Sequence, residues 1–436
     1  MNTNFVSNIQ RINKRYVIIS LILFLFEIIL FFLIKFEVFK IMDIPIKNSL
    51  QKDYSNIADI KDIPKFLTIV YYFNKIFSPY IIIILVFNFS NIYNVYTLFS
   101  ILSITCYISC FLKFIFYKMI TNEHEGKIFF CGEGWNLPST EMMISVSFYL
   151  TLWNMFFNNK DYLRKIKKFF KYFFLGLIVI LNIINLIYLT KIGYYLFSHL
   201  LFSAIFGFLI YIFIFKTNLI KKYNSRQFCF FIKKKFEFHF LIKIFLLILV
   251  FIPYIIERKI KIYTSSECKS IEGSFYYHNN SPYITYVDET FTLISIFFAH
   301  FFVMIGIRCE LAFNFENKIL NFEQYHFGIN IDDLNDEREI KNNTGTIVIT
   351  RSTEWNNTSK FKSAIRLILS FILSGVCFLP YYFIKREKEF DFSSIFLIKH
   401  FLSYALFSFG ITFFFKIIFR IVNVSNEILI SILENQ

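Results

Sequence analysis

The chain has 436 residues, of which 56% are apolar and only 18% charged, with 63 Phe and 27 Tyr among them. Mean hydropathy is +0.53. No soluble core of this size requires so much apolar surface, so the composition excludes a globular soluble domain and indicates an all-α polytopic membrane protein. The net charge of +15 resides in loops between apolar runs, and the aromatics lie inside those runs. That distribution argues against a nucleic-acid-binding face and makes the charge a topology signal. Seven cysteines are scattered without paired spacing, which fits neither a disulfide framework nor a zinc site. No cofactor or metal is expected.

The first apolar run, Tyr16–Phe39, follows Arg11, Lys14 and Arg15. It is too long for a cleaved signal peptide and lacks a small-residue cleavage site, so it reads as a signal anchor. Further runs of spanning length follow at Ser78–Tyr93, Val95–Tyr117, Pro138–Phe157, Phe169–Leu189, Tyr194–Phe215, His239–Ile256, Glu289–Ile307, Phe361–Ile384 and Ile395–Phe419. An amphipathic piece near Lys65–Lys75 precedes the second. The expectation is about ten transmembrane helices.

The basic loops Asn158–Lys168 and Lys216–Phe238 face the cytosol under the positive-inside rule. Loop Lys118–Leu137, the short turn Leu189–Gly193 and Glu257–Asp288 then share the opposite side, and both termini are cytosolic. Residues 1–15 form the cytosolic N-terminus and 16–307 a transmembrane region. Residues 308–360 form a flexible cytosolic loop, rich in Asp, Asn and Glu, and 361–436 the last spans with a short tail. Asn342 and Asn356 fit the glycosylation triplet but fall on the cytosolic side of this topology. No internal repeat is visible.

The stretch Cys131–Trp153 concentrates the polar signals. A glycine-bearing acidic loop breaks at Pro138-Ser139-Thr140-Glu141 into an apolar run. Pro and Glu within a first turn are helix-start residues. A helix start at a membrane–water boundary is also where a phosphate is readily held. The end of the third span, with Lys113, and the turn before the sixth, with Lys191, converge on that same face.

These segments resemble the type 2 phosphatidic acid phosphatase superfamily, most closely its sphingosine-1-phosphate (long-chain base phosphate) phosphatase branch. GEGWNLPSTEMM is similar to the family's Glu-x-Gly-x-Pro-Ser-Thr-His-x-Met stretch, and LTKI at Leu189–Ile192 to its Leu-Ser-Arg-Ile. GFL at Gly207–Leu209, FKSAIRLIL at Phe361–Leu369 and SYALFSFGITFF at Ser403–Phe414 resemble later helices. The resemblance implies a lipid-phosphatase-like core of six helices at about 95–215, an endoplasmic reticulum membrane location and a lipid phosphate ligand.

In that family a third-motif His attacks phosphorus, a second-motif His protonates the departing hydroxyl, and Lys and Arg hold the phosphoryl oxygens. Here Lys113 matches the first-motif lysine, while the Arg-Pro that should follow falls near Ile120-Thr121. Pro138 and Ser139 match, and Glu141 occupies the place of the acid His, where a carboxyl in a half-buried setting would be the proton donor. Lys191 keeps the charge of the third-motif Arg without its fork. The nucleophile position is Phe197 and the orienting-Asp position about Leu201. His199 lies nearly opposite Phe197 on a helix and reads as a packed polar residue.

Loss of both histidines implies a catalytically degenerate phosphatase-like protein that binds a lipid phosphate through Lys113, Ser139 and Lys191, or serves as a scaffold. An active lipid phosphate phosphatase with a rebuilt site is the second expectation. A transporter or flippase is the third, favoured if intramembrane Glu27 and His300 line one cavity.

Overall fold

The computed structural model describes residues 14–36, 38–39, 41–43, 45–46, 77–89, 92–117, 137–157, 168–191, 196–216, 237–238, 240–249, 282–316, 340–342, 345–347, 360–383, 394–422 and 424. Outside them lie the expected amphipathic piece near 65–75, the Ile120-Thr121 position, Asn356, and most of the loops on which the topology rests.

The described chain is helical. Its elements are α1 (Lys14–Lys35), α2 (Phe77–Phe89), α3 (Ile92–Tyr117), α4 (Thr140–Phe157), α5 (Lys168–Lys191) and α6 (Phe197–Tyr211). A short α7 (Phe240–Leu249), α8 (Pro282–Glu316), α9 (Lys360–Cys377), α10 (Leu379–Phe383), α11 (Ser394–Phe409) and α12 (Phe415–Ile421) follow. Five-residue π-helical turns extend α6 (Ile212–Lys216) and join α11 to α12 (Gly410–Phe414). The exception is a two-stranded hairpin, β1 (Ile340–Asn342) antiparallel to β2 (Gly345–Ile347), inside the connection expected to be irregular.

Among the described residues, seven helices are long and apolar enough to cross a membrane: α1, α3, α5, α6 with its π turn, α8, α9 with α10, and the α11–α12 unit. Of the other three expected spans, two differ for physical reasons, and the seventh, His239–Ile256, lies only partly within the described residues. Helix α2 has 13 residues, about 20 Å of rise, against a hydrocarbon core of about 30 Å. The described part of the seventh span is the short α7. Helix α4 carries Glu141, Ser145, Ser147, Thr151 and Asn154 on buried positions, too polar for an isolated span. Neighbouring helices and the backbone of α4 itself answer those groups. Ser147 Oγ is 3.0 Å from Thr105 Oγ1, Thr151 bonds the Ser147 carbonyl at 2.8 Å, and Asn154 accepts from Lys216 Nζ at 3.2 Å. Ser145 donates to Asn182.

Helix α8 starts at Pro282, which fits a first helical position, and runs 35 residues to Glu316. It therefore takes in residues that the sequence assigns to loops on either side. Its far end is tied to α12, where Lys416 Nζ meets both Glu310 oxygens at 2.6 Å.

Contacts fix the directions. Ser109 meets Thr140 and Thr105 meets Ser147, so α3 and α4 are antiparallel. Trp153 Nε1 donates to the Lys171 carbonyl at 3.0 Å, making α5 antiparallel to α4. Gly207 abuts Met143 while Ser203 meets Ser139, so α6 runs parallel to α4. The end of α3, the start of α4, the end of α5 and the start of α6 thus share one face. On α2, Tyr80 gathers Phe99, Phe378, Tyr404 and Phe407 at ring-centroid distances of 5.1–6.3 Å and binds α2 to α3 and α11. Each such pair adds about 0.5–1.5 kcal/mol beyond area burial.

Candidate functional site

The start of α4 is held from three directions. Ser139 is its N-cap: the hydroxyl accepts the Met142 amide at 3.4 Å, and the carbonyl accepts the Met143 amide at 3.1 Å. The same hydroxyl donates to Glu141 Oε2 at 3.3 Å. The Ser139 amide donates to Ser203 Oγ at 2.7 Å, and the Ser203 hydroxyl donates in turn to the His199 carbonyl at 2.7 Å. From α3, Ser109 Oγ lies 2.7 Å from Thr140 Oγ1.

Lys113 is one turn beyond Ser109, on the same helix face, roughly 6 Å further toward the end of α3. It is only 2% exposed, so its stem is enclosed among the helices rather than extended along a lipid-facing surface. Ser139 and Glu141 are bonded to each other, and Lys113 is buried one turn past the serine that meets Thr140. Lys191 ends α5 on the same face, and its side chain lies outside the described residues.

The start of α6 is served by a residue far away in sequence. Leu196 precedes the helix without a side-chain cap. Asp43 supplies one instead: the Ser198 amide donates to Oδ1 at 2.9 Å and the Ser198 hydroxyl to Oδ2 at 2.5 Å. A carboxylate at a helix N-terminus answers its open amides and its dipole. Burial pushes the Asp43 carboxyl above the usual carboxylate range, and the two Ser198 bonds oppose that rise.

The raised value means that the folded state holds the Asp43 proton at a pH where the unfolded chain has released it. Its contribution to stability is full below the unfolded value and is lost as pH rises through the folded one. Thermal unfolding in detergent should therefore show wild type gaining on Asp43→Asn as pH is lowered from 7 to 4. A constant difference between the two across that range would refute the assignment.

Phe197, at the nucleophile position, opens α6 and is partly buried. His199 is buried one turn before Ser203. His300 is held by Ser100 at 2.8 Å and packs on the Tyr96 ring in the α3–α8 seam, whereas Glu27 lies on α1. They stand on different helices, and neither Glu27 oxygen has a hydrogen-bond partner among the described residues. No group of three or more His, Cys, Asp or Glu able to hold a metal occurs among the described residues.

Sequence reasoning missed Asp43, Ser109, Thr140, Ser198 and Ser203. Only Thr140 carried a signal, since it lies inside the Pro-Ser-Thr-Glu break. The serines are ordinary in a membrane helix until their partners are known. No protein-family model, no curated protein and no solved structure matches this chain.

Proposed function

We propose that the protein is a catalytically degenerate, phosphatase-like membrane protein that binds a lipid phosphate at the α4 start, in an endoplasmic reticulum membrane with both termini cytosolic. In this reading about ten helical segments cross or enter the bilayer, with α2, α4 and α7 sheltered by the longer ones. The observation that carries it is the burial of Lys113 one turn from the Ser109–Thr140 contact. A buried cation beside a capped helix start suits a phosphate head group.

Glu141 narrows the ligand. A carboxylate beside Ser139 repels a phosphate dianion, which disfavours hydrolysis and a simple anionic lipid alike. A long-chain base phosphate carries an ammonium near its phosphate, so Lys113 answers one group and Glu141 the other. Phe197 at the head of α6 brings no nucleophile, consistent with binding without turnover.

The test is binding of a long-chain base phosphate to the purified protein in nanodiscs, with phosphatidic acid as comparison. Lys113→Ala should weaken both by about 10- to 100-fold, since a hydrogen bond to a charged group contributes about 1.5–3 kcal/mol. Glu141→Gln should weaken only the aminated lipid. Unchanged affinity in Lys113→Ala would sink the reading. Phosphate release that Ser139→Ala abolishes would instead establish a rebuilt phosphatase.

A further inference from the structure

Between Arg15 and Lys35, helix α1 carries a single charged residue, Glu27. Its residues Ile18, Leu21, Ile22, Leu25, Ile29 and Phe32 are exposed along the lipid-facing side. The inward stripe runs through Tyr16, Ser20, Leu23, Glu27, Leu30, Phe31 and Ile34, at three- and four-residue spacing. Leu23 and Tyr16 pack on Tyr211, Ile212 and Phe215 of α6 and its π turn, and Leu30, Phe31 and Ile34 join the main core. Glu27 stands between these two contacts.

Only 2% of Glu27 is exposed, and neither of its carboxyl oxygens has a hydrogen-bond partner among the described residues. It lies roughly 18 Å of helix from Arg15 and about 10 Å from Ile34, deep within a hydrocarbon core of about 30 Å. An ionised carboxylate without a partner at that depth costs far more than a neutral acid. Among the described elements, those packed most extensively on α1 are α6 and its π turn, whose titratable groups are His199, Tyr211 and Lys216. His199 lies at the Asp43 end of the seam. Tyr211 lies at the other, beside Tyr16, which is about 16 Å of helix from Glu27. Lys216 bonds Asn154.

We infer that Glu27 is a proton-binding site inside the bilayer, a neutral carboxylic acid closed into the α1–α6 seam. Its ligand is a proton, and only a reagent that dissolves in lipid can approach that seam through the bilayer. A hydrophobic carbodiimide is such a reagent. The acid O–H adds across one C=N bond, the proton going to nitrogen and the carboxyl oxygen to the central carbon. The acyl group then migrates to nitrogen to give a stable N-acylurea. Nothing leaves and no redox partner is needed.

The experiment uses the full chain in nanodiscs and Glu27→Gln, which keeps the side-chain shape. Infrared difference spectra at pH 8 should show a protonated-carboxyl C=O band in wild type that the variant lacks. Dicyclohexylcarbodiimide should label the Glu27 peptide by mass, with a water-soluble carbodiimide leaving it at background. Absence of the band overturns the proton site. A band without dicyclohexylcarbodiimide labelling overturns its access from lipid, and labelling by the water-soluble reagent overturns its placement in the bilayer. None of these readouts depends on a lipid phosphate binding at Lys113.

Discussion

Gly207→Ala should lower stability by about 1–3 kcal/mol, the cost of forcing one extra carbon into a closed helix contact. A Cβ at this position would stand 2.7 Å from the Met143 carbonyl oxygen, 3.1 Å from Met143 Cα and 3.2 Å from Val146 Cβ. Two of those three atoms are main chain of α4 and cannot rotate away. In lipid no hydrophobic drive holds helices together, so close approach at small residues is a principal source of their association. The effect should reach the candidate site as well. Ser203 lies one turn before Gly207, and Met143 one turn after Ser139, so a wedge here strains the Ser139–Ser203 bond. Gly306→Ala should also destabilise, since its Cβ would fall 2.0 Å from Thr412 Oγ1 and 3.0 Å from Thr412 Cβ, atoms of a buried β-branched side chain. Gly176→Ala, with nothing within 4 Å of the added carbon, is the control and should be neutral. Thermal unfolding in detergent orders the three, and a Gly207→Ala midpoint equal to that of Gly176→Ala would refute this account of the α4–α6 contact.

The positions of the long apolar helices were legible because hydropathy over about 20 residues is a local property. The start of α4 was legible to within two residues: the break at Pro138 to Glu141 marks it, but Ser139 is the cap and Pro138 lies outside the helix. What the sequence could not convey is non-local. Asp43 caps α6 across 155 residues, and Ser203 holds Ser139 across 64. Neither residue is unusual in its own neighbourhood. Helix α4 shows the converse problem. Its polar residues weaken the hydropathy signal, yet Thr105, Asn182 and Lys216 on three other segments satisfy them. The limits of α8 moved for a third reason, because Asp288 and Glu289 suggested a boundary that Pro282 in fact sets about two turns earlier.

Arg366→Met should cost about 3 kcal/mol, through buried carbonyls left without a donor. Arg366 is 3% exposed on α9, at the face opposite the candidate site. Its Nε donates to Asn88 Oδ1 at 3.2 Å and one terminal nitrogen donates to the Asn88 carbonyl at 2.9 Å. The other terminal nitrogen reaches the Val424 carbonyl at 3.5 Å. Asn88 is in the last turn of α2, and Val424 follows α12, so one guanidinium answers open carbonyls at two helix C-termini. Asn88 also bonds Ser370, one turn along α9, at 2.9 Å. Helix α2 is too short to be held by its own span, so this anchor and the Tyr80 aromatic cluster fix its two ends. Arg366→Lys keeps the charge but offers a single ammonium in place of a planar fork, and should recover less than half of the loss. Unfolding in mixed micelles measures both variants. Full recovery by lysine would mean that charge alone serves these helix ends and that the forked geometry contributes nothing.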